Sequence, residues 1–240
     1  MTDEVGPQSA LVRPVVGADS PYLAAAVEMF QAIFPEEGHY VPYLRACACQ
    51  SNPAHPATFD HVWLVEADGR PAGIRIFSYV HTRGFGHGAF IGLLEPYRGR
   101  GIGRWLVQRT LAQLCADAAR FGGSEPQGYV AEVELPREAP DEAERRMRER
   151  RLAFHVRAGG MLLEVDYVEP PMIEGVGYIR PEQLAGVTAK PMQLVFYPLR
   201  PRPAFRRDEL VGILEGLYLD VYRLEPGSGY LRRAVESLRT

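Results

Sequence analysis

Apolar residues along this chain fall into two rhythms. Short β-rich runs occupy residues 11–16, 61–66, 71–81, 87–94, 129–135, 161–167 and 192–199, each bounded by turn-forming residues. Between them, residues 20–34, 41–49, 101–121 and 141–158 repeat their apolar positions at helical spacing. Ser20 before Pro21 predicts a helix start, with Ser20 as the cap. Asp68-Gly69 between two β-rich runs predicts a hairpin. Asp141 caps the long charged helix, and Gly159-Gly160 ends it. The element order is β-α-α-β-β-β-α-β-α-β-β, a mixed α/β chain.

The composition changes after residue 200. Pro201 and Pro203 sit among Arg200, Arg202, Arg206 and Arg207, a stiff basic connector. Residues 208–225 then predict a helix with an apolar stripe of Leu210, Val211, Leu214, Leu217, Tyr218, Val221 and Tyr222. A short helix over 229–238 follows. The chain therefore reads as residues 1–200, the principal domain, and 201–240, a C-terminal helical extension. The stripe needs a cover: its own domain, or a second copy of the chain in a homodimer.

The stretch that carries chemistry is Leu93-Leu94-Glu95-Pro96-Tyr97-Arg98-Gly99-Arg100-Gly101-Ile102-Gly103-Arg104. Pro96 stops a strand, because it has no amide hydrogen for a ladder. Glycines follow at 99, 101 and 103, and then a helix. A helix start offers amides with no partner inside the helix and the positive end of its dipole. Glycines let a ligand approach the backbone, so the order strand, glycine turn, helix makes an anion site suited to phosphate or pyrophosphate. Arg98, Arg100 and Arg104 add charge. The dinucleotide fingerprint G-x-G-x-x-G is not matched, and the G-x-x-x-x-G-K-[ST] loop is absent.

Arg98, Gly101 and Gly103 fill the pattern [RQ]-x-x-G-x-[GA], preceded by Pro-x-Arg-Gly. The stretch resembles the acyl-coenzyme A loop of the GNAT superfamily of N-acyltransferases. The resemblance implies a twisted mixed sheet with helices on both faces and a direct acyl transfer, most simply acetyl from acetyl-CoA, to a small-molecule or peptide amine. It also implies that two adjacent parallel strands splay apart to receive the pantetheine arm. Carried over here, the first ends at Leu93 and Leu94 and the second spans residues 129–135. The cofactor-binding residues are then Leu93, Leu94, Arg98, Gly99, Arg100, Gly101, Ile102 and Gly103, with the Leu94 backbone holding the thioester carbonyl.

Direct transfer needs a neutral amine and a proton for the leaving thiolate. Many relatives supply the latter from a tyrosine in Phe-Tyr-x-x-x-Gly-Phe. Here that run is Phe154-His155-Val156-Arg157-Ala158-Gly159-Gly160, so His155 stands at the tyrosine position. A histidine titrates near neutrality and is a candidate acid; the plain alternative is a packed helix histidine. The departure motivates a second reading, a non-catalytic acyl-CoA-binding or regulatory module on the same fold.

For the base, strand alternation puts Glu132 and Glu134 on one face. Glu132 is the candidate, and the alternative is an ion pair with Arg145 or Arg148. His87 is a weaker candidate. Glu36, Glu37 and Asp60 lie where an acceptor wall is expected. Cys47 and Cys49 near His39, His55 and His61 lack zinc spacing, so no metal is expected. The arginines at 145–151 alternate with Glu142, Glu144 and Glu149 at helical pairing distance, a solvated face. The 240 residues carry a formal net charge of -3 and 46% apolar residues. That composition fits a soluble globular chain and gives no reason to expect nucleic acid or membrane as partner. Three cysteines without pairing spacing fit a reducing cytoplasm.

Overall fold

The computed structural model describes residues 6–50, 55–171 and 189–238. Its strands are β1 (Leu11–Pro14), β2 (Thr58–Ala67), β3 (Arg70–Val80), β4 (Phe85–Leu93), β5 (Gly128–Glu134), β6 (Met161–Leu162), β7 (Tyr167–Glu169) and β8 (Lys190–Pro198). The helices are α1 (Leu23–Ile33), α2 (Val41–Ala48), α3 (Ile102–Arg120), α4 (Glu142–Arg157), α5 (Arg207–Glu215) and α6 (Gly229–Ser237). The strands form one mixed sheet in the order β1-β2-β3-β4-β5-β8-β6, with β7 also on β8. Only β4 and β5 run parallel; the other pairs are antiparallel. The expected fold, helices on both faces of a mixed sheet, is the observed one.

Alternation along the strands assigns the faces. Val62, Leu64, Ile74 and Ile76 turn to one face, where they pack on α1 and α2 through Leu23, Ala26, Phe30 and Leu44. Trp63, Phe77, Tyr79, Tyr129 and Ala131 turn to the other, against Val107 and Leu114 of α3. The hairpin expected at Asp68-Gly69 is present. Both residues have positive φ, 53° and 73°, the geometry that lets a two-residue turn match the strand twist.

The C-terminal segment covers the half of the first face that α1 and α2 leave open. Ile213, Leu214, Leu217, Tyr218 and Val221 share a core with Val80, Phe85, Val130, Leu194 and Phe196 of the sheet. Arg83 ties the segment down, reaching Glu215 at 2.6 Å and Asp220 at 2.9 Å. Gly216 sits where a Cβ would come within 2.5 Å of the Phe85 ring. The apolar stripe is thus buried on the chain's own sheet.

Three expectations about elements change. The helix expected over 208–225 is α-helical only to Glu215. It then widens into a π-helical stretch, Gly216–Val221, with the Tyr222 amide bonding to the Leu217 carbonyl at 2.8 Å. The strand expected over 161–167 breaks into β6 and β7, because Val165 N bonds Leu163 O and Tyr167 N bonds Val165 O in two tight turns. Helix α1 starts at Leu23, since Ser20 and Tyr22 form a turn in which Ser20 Oγ accepts from the Tyr22 amide.

Burying a large apolar side chain contributes about 1.5–3 kcal/mol, and a domain is stable by only about 5–15 kcal/mol. The five C-terminal core side chains named above therefore match the whole stability of the fold. A chain ended after Arg200 is expected to aggregate or stay unfolded, which circular dichroism and size-exclusion chromatography would show.

Candidate functional site

The glycine turn has the geometry of an anion site. Gly99 and Gly101 adopt φ of +74° and +83°, left-handed values that favour glycine. Gly101 is the N-cap of α3, with no side-chain cap, so the first amides of the helix have no partner within it. A Cβ on Gly99 would meet nothing within 4 Å, and one on Gly101 would only touch Pro7 at 3.7 Å. The turn is therefore open to a phosphate-sized group. Gly103 has a different task, since a Cβ there would come within 2.9 Å of the Phe154 ring of α4. Arg98 folds back, its Nε donating to Leu93 O at 2.9 Å. Arg100 lies over the Tyr97 ring, 5.6 Å from its centroid.

Upstream of the turn, the sheet opens. β4 pairs with β5 only through Gly86, Gly88 and the residue between them, opposite Tyr129 to Ala131. Beyond those pairs the two strands diverge. The opening begins at a bulge: Ile76 faces Phe90 but Ser78 faces His87, so Phe77 stands opposite two residues of β4. Arg75 fixes the bulge from below. It is 1% exposed, bonds Thr110 Oγ1 and the carbonyls of Ile76 and Phe90, and leaves no room for a side chain at Gly88. The Leu94 amide, the expected holder of a thioester carbonyl, donates to Ala72 O at 2.9 Å. Ladder bonds alternate along a strand, so Leu93 is the residue that turns its amide to the opening.

On the α1/α2 face, Glu132 lies one residue past the last β4–β5 pair, its side chain 8% exposed. His87 Nε2 approaches it at 2.9 Å, the Tyr222 hydroxyl at 3.0 and 2.9 Å, and the Tyr167 hydroxyl also bonds it. Glu169 joins through Tyr222, 3.3 Å from the same hydroxyl. Burial, with the Glu132 charge adding to it, pushes the Glu169 carboxyl up to about 8. Lys190 pulls the other way and also pairs with Glu37 at 3.7 Å. Tyr40 closes the cluster against Phe90, ring centroids 5.3 Å apart, and burial raises its phenol, helped by Glu169 and Glu37. Glu134 does not belong to this cluster: Arg148 holds it at 3.3 Å, and Arg151 also pairs with it.

His155 lies on the opposite face, buried, with Nδ1 2.7 Å from the Tyr197 hydroxyl. Burial, and then the Arg75 charge, lowers its pKa to about 4. Tyr197 stacks on Tyr129 at 4.6 Å, and Arg75 lies 5.1 Å from the Tyr129 ring centre. The imidazole is therefore neutral at pH 7 and offers a neutral N–H.

Sequence reasoning did not single out Tyr167, Glu169 or Tyr222 as site residues. The last two had a faint signal, a glutamate inside the β-like run Tyr167-Val168-Glu169 and a polar tip on an apolar stripe. Of the expected acceptor-wall acids, Glu37 reaches the cluster, while Asp60 is buried behind it among Thr58 and Ser78. Glu36 is exposed. His61 is taken by Asp117 of α3 at 2.8 Å. Among the described residues no group of three His, Cys, Asp or Glu is placed to hold a metal ion, and no helix is long and apolar enough to cross a membrane. Residues 172–188, between the runs expected as strands over 161–167 and 192–199, lie outside the described residues.

Comparison with known proteins bears on the fold. Residues 23–121 match the model of the Acetyltransferase (GNAT) family. No curated protein matches. Among solved structures, the chain is similar to one described as a GNAT-family acetyltransferase from Bacteroides thetaiotaomicron. That likeness has 23% identity and a TM-score of 0.56, covering 89% of this chain and 99% of the other. A GNAT-family acetyltransferase from Elizabethkingia anophelis with acetyl-CoA bound gives 13% identity and a TM-score of 0.45, over 79% of this chain and 97% of the other. These likenesses concern the fold.

Proposed function

We propose that this chain, whose residues 23–121 are a segment of the acetyltransferase (GNAT) family, transfers an acyl group from acyl-coenzyme A to an amine, with acetyl-CoA as the donor. The observation that carries the reading is the pair of strands that part at Gly88 and Ala131 and lead into an uncapped helix start. Backbone groups freed by the parting suit an extended pantetheine chain, much as an added strand would be held. The amides at the start of α3, with the turn at Arg98, Gly99, Arg100, Gly101, Ile102 and Gly103, suit its pyrophosphate. On β4 the Leu93 amide is the group free to meet a thioester carbonyl.

The chemistry asks the chain for two proton movements. As the nitrogen attacks the thioester carbon, the N–C bond forms and the C–S bond breaks, with its electron pair going to sulfur. Glu132 takes the proton that frees the nitrogen lone pair before the attack. The N–H proton released as the N–C bond forms passes to the thiolate, so that amine and thioester become amide and thiol. His155 is the candidate donor on the sulfur side. Being neutral, it acts as a hydrogen-bond donor backed by Tyr197, in place of an imidazolium. Positioning and exclusion of water supply the rest. The acceptor is an amine of a small molecule or peptide, and the tyrosine-rich cluster around Glu132, with Glu37 beside it, is the wall that would meet its charge.

Calorimetric titration with acetyl-CoA tests the reading. Binding in the micromolar range with one site per chain is expected. A folded protein that takes up no acetyl-CoA would overturn it.

A further inference from the structure

The C-terminal segment brings into the cleft wall a group that acyl transfer on this fold does not by itself require. Tyr222 follows the π-helical stretch, and its hydroxyl touches two carboxyl groups at once, Glu132 at 3.0 and 2.9 Å and Glu169 at 3.3 Å. A phenol has one proton to donate. It can satisfy one carboxylate, and its oxygen can then accept only from a group that itself carries a proton. Glu132 already receives the Tyr167 hydroxyl and stands 2.9 Å from His87 Nε2. With two phenol hydroxyls converging on it, Glu132 is the member placed to act as acceptor. The contact between Glu169 and Tyr222 is favourable when Glu169 is a carboxylic acid and donates to the phenol oxygen. Two ionised carboxylates would leave one of them facing lone pairs across a buried gap.

The groups around Glu169 favour this arrangement. Glu132 from β5 and Glu37 from the turn before α2 repel a charge on it, Lys190 of β8 attracts one, and Tyr222 bonds it. Tyr40 and Tyr167 also lie within its field. Burial is the largest effect and Glu132 the next, and both outweigh Lys190.

We propose that Glu132, Tyr222 and Glu169 form one unit sharing a single proton, kept on Glu169, so that Tyr222 and Glu169 are positioning residues that hold Glu132 as the proton acceptor for the amine. The inference rests on the acyl-transfer reading and deepens it: residues of the C-terminal segment become part of the active site. The unit carries one negative charge, which suits an acceptor that arrives as a singly charged ammonium ion. That ion would give one N–H proton to Glu132; the lone pair left on nitrogen then attacks, and the second N–H proton, released as the N–C bond forms, passes to the departing sulfur.

Three variants separate the roles. In Glu169→Gln, the amide N–H donates to Tyr222 as the carboxylic acid does, so its turnover is expected to exceed that of Glu169→Ala, which keeps no donor, by at least tenfold. In Tyr222→Phe the link is lost. Turnover is expected to fall about 10–100-fold, less than the roughly 100–10,000-fold contributed by a general base outright because Glu132 itself remains, with the acetyl-CoA dissociation constant unchanged and the pH profile of kcat/KM shifted. Carbon-13 NMR of side-chain-labelled glutamate supplies a readout independent of turnover. One buried carboxyl is expected to remain protonated at pH 7 in the parent, and its signal should be missing in Glu169→Gln. If both carboxyls are ionised at pH 7, or if Glu169→Gln turns over no faster than Glu169→Ala, the shared-proton unit is wrong. If the parent acylates no amine while the NMR signal behaves as expected, the proton is shared but the acyl-transfer reading fails.

Discussion

Replacing Gly101 by Glu is expected to weaken acetyl-CoA binding by about a thousandfold while leaving the protein folded. Two effects combine. The left-handed backbone at Gly101, φ +83°, costs any other residue about 1–2 kcal/mol. That penalty falls mainly on folding, because a Cβ there finds ordinary contact with Pro7 at 3.7 Å. The carboxylate acts on binding. Two like charges about 4 Å apart repel by about 4 kcal/mol at the effective dielectric of a protein surface, which corresponds to about three powers of ten in affinity. Gly101→Ala separates the two effects, since it carries the backbone penalty without the charge. It should lose a few degrees of Tm and keep most of its affinity. Added salt should restore part of the Glu variant's binding and none of the Ala variant's Tm. Parent-like affinity in Gly101→Glu would mean that no phosphate sits at this turn.

The parting of β4 from β5 was expected only from the family resemblance, whereas the loop and the hairpin were legible for a common reason. Each depends on backbone restrictions that residue type imposes locally: Pro96 ending a strand, Asp68-Gly69 accepting positive φ, and glycines at 99 and 101 doing the same. The partner of each polar side chain was not legible in that way. Alternation placed Glu132 and Glu134 on one face, yet Glu134 reaches Arg148 and Arg151 while Glu132 meets Tyr167, Tyr222 and His87. Which glutamate took which partner was decided by a segment some ninety residues further along the chain. Tyr222 itself was hidden because a tyrosine in an apolar stripe reads as core, and its ring is indeed core; only its hydroxyl belongs to the site. The π-helical stretch that delivers it answers to tertiary packing at Phe85 and Arg83, to which propensity is blind. His155 was read as a departure at the tyrosine position of the family pattern. Its charge state could not be read, because that depends first on burial and then on Arg75, eighty residues earlier and on another element.

The stability of the folded chain is expected to peak near pH 6.5 and to fall on both sides, with Glu169 setting the alkaline limb. A buried carboxyl raised to about 8 holds a proton that the unfolded chain releases near 4.5. Between those two values the folded state binds more protons than the unfolded state, so stability declines as pH rises. The slope is about 1.4 kcal/mol per pH unit, which amounts to roughly 3–5 kcal/mol across the window. Buried Asp60, raised by desolvation, acts in the same direction. The acid limb has the opposite origin. His55 and His155 are held neutral down to about 4, in each case mainly by burial. Below their ordinary value of about 6.5 the unfolded chain takes up protons that the fold refuses. Each histidine therefore removes stability as pH falls from about 6.5 toward 4; the two together outweigh the gain from Glu169, and Asp60 offsets part of that margin, which makes the acid limb the shallower one. Glu169→Gln removes the alkaline limb contributed by residue 169. Urea unfolding at pH 5, 6.5, 8 and 9 should show the variant level with the parent at pH 5 and more stable by roughly 3 kcal/mol or more at pH 9, against a parent that has passed its maximum. Parallel profiles for the two proteins would place an ionised Glu169 in the fold, and the proton shared with Glu132 through Tyr222 would then have no holder.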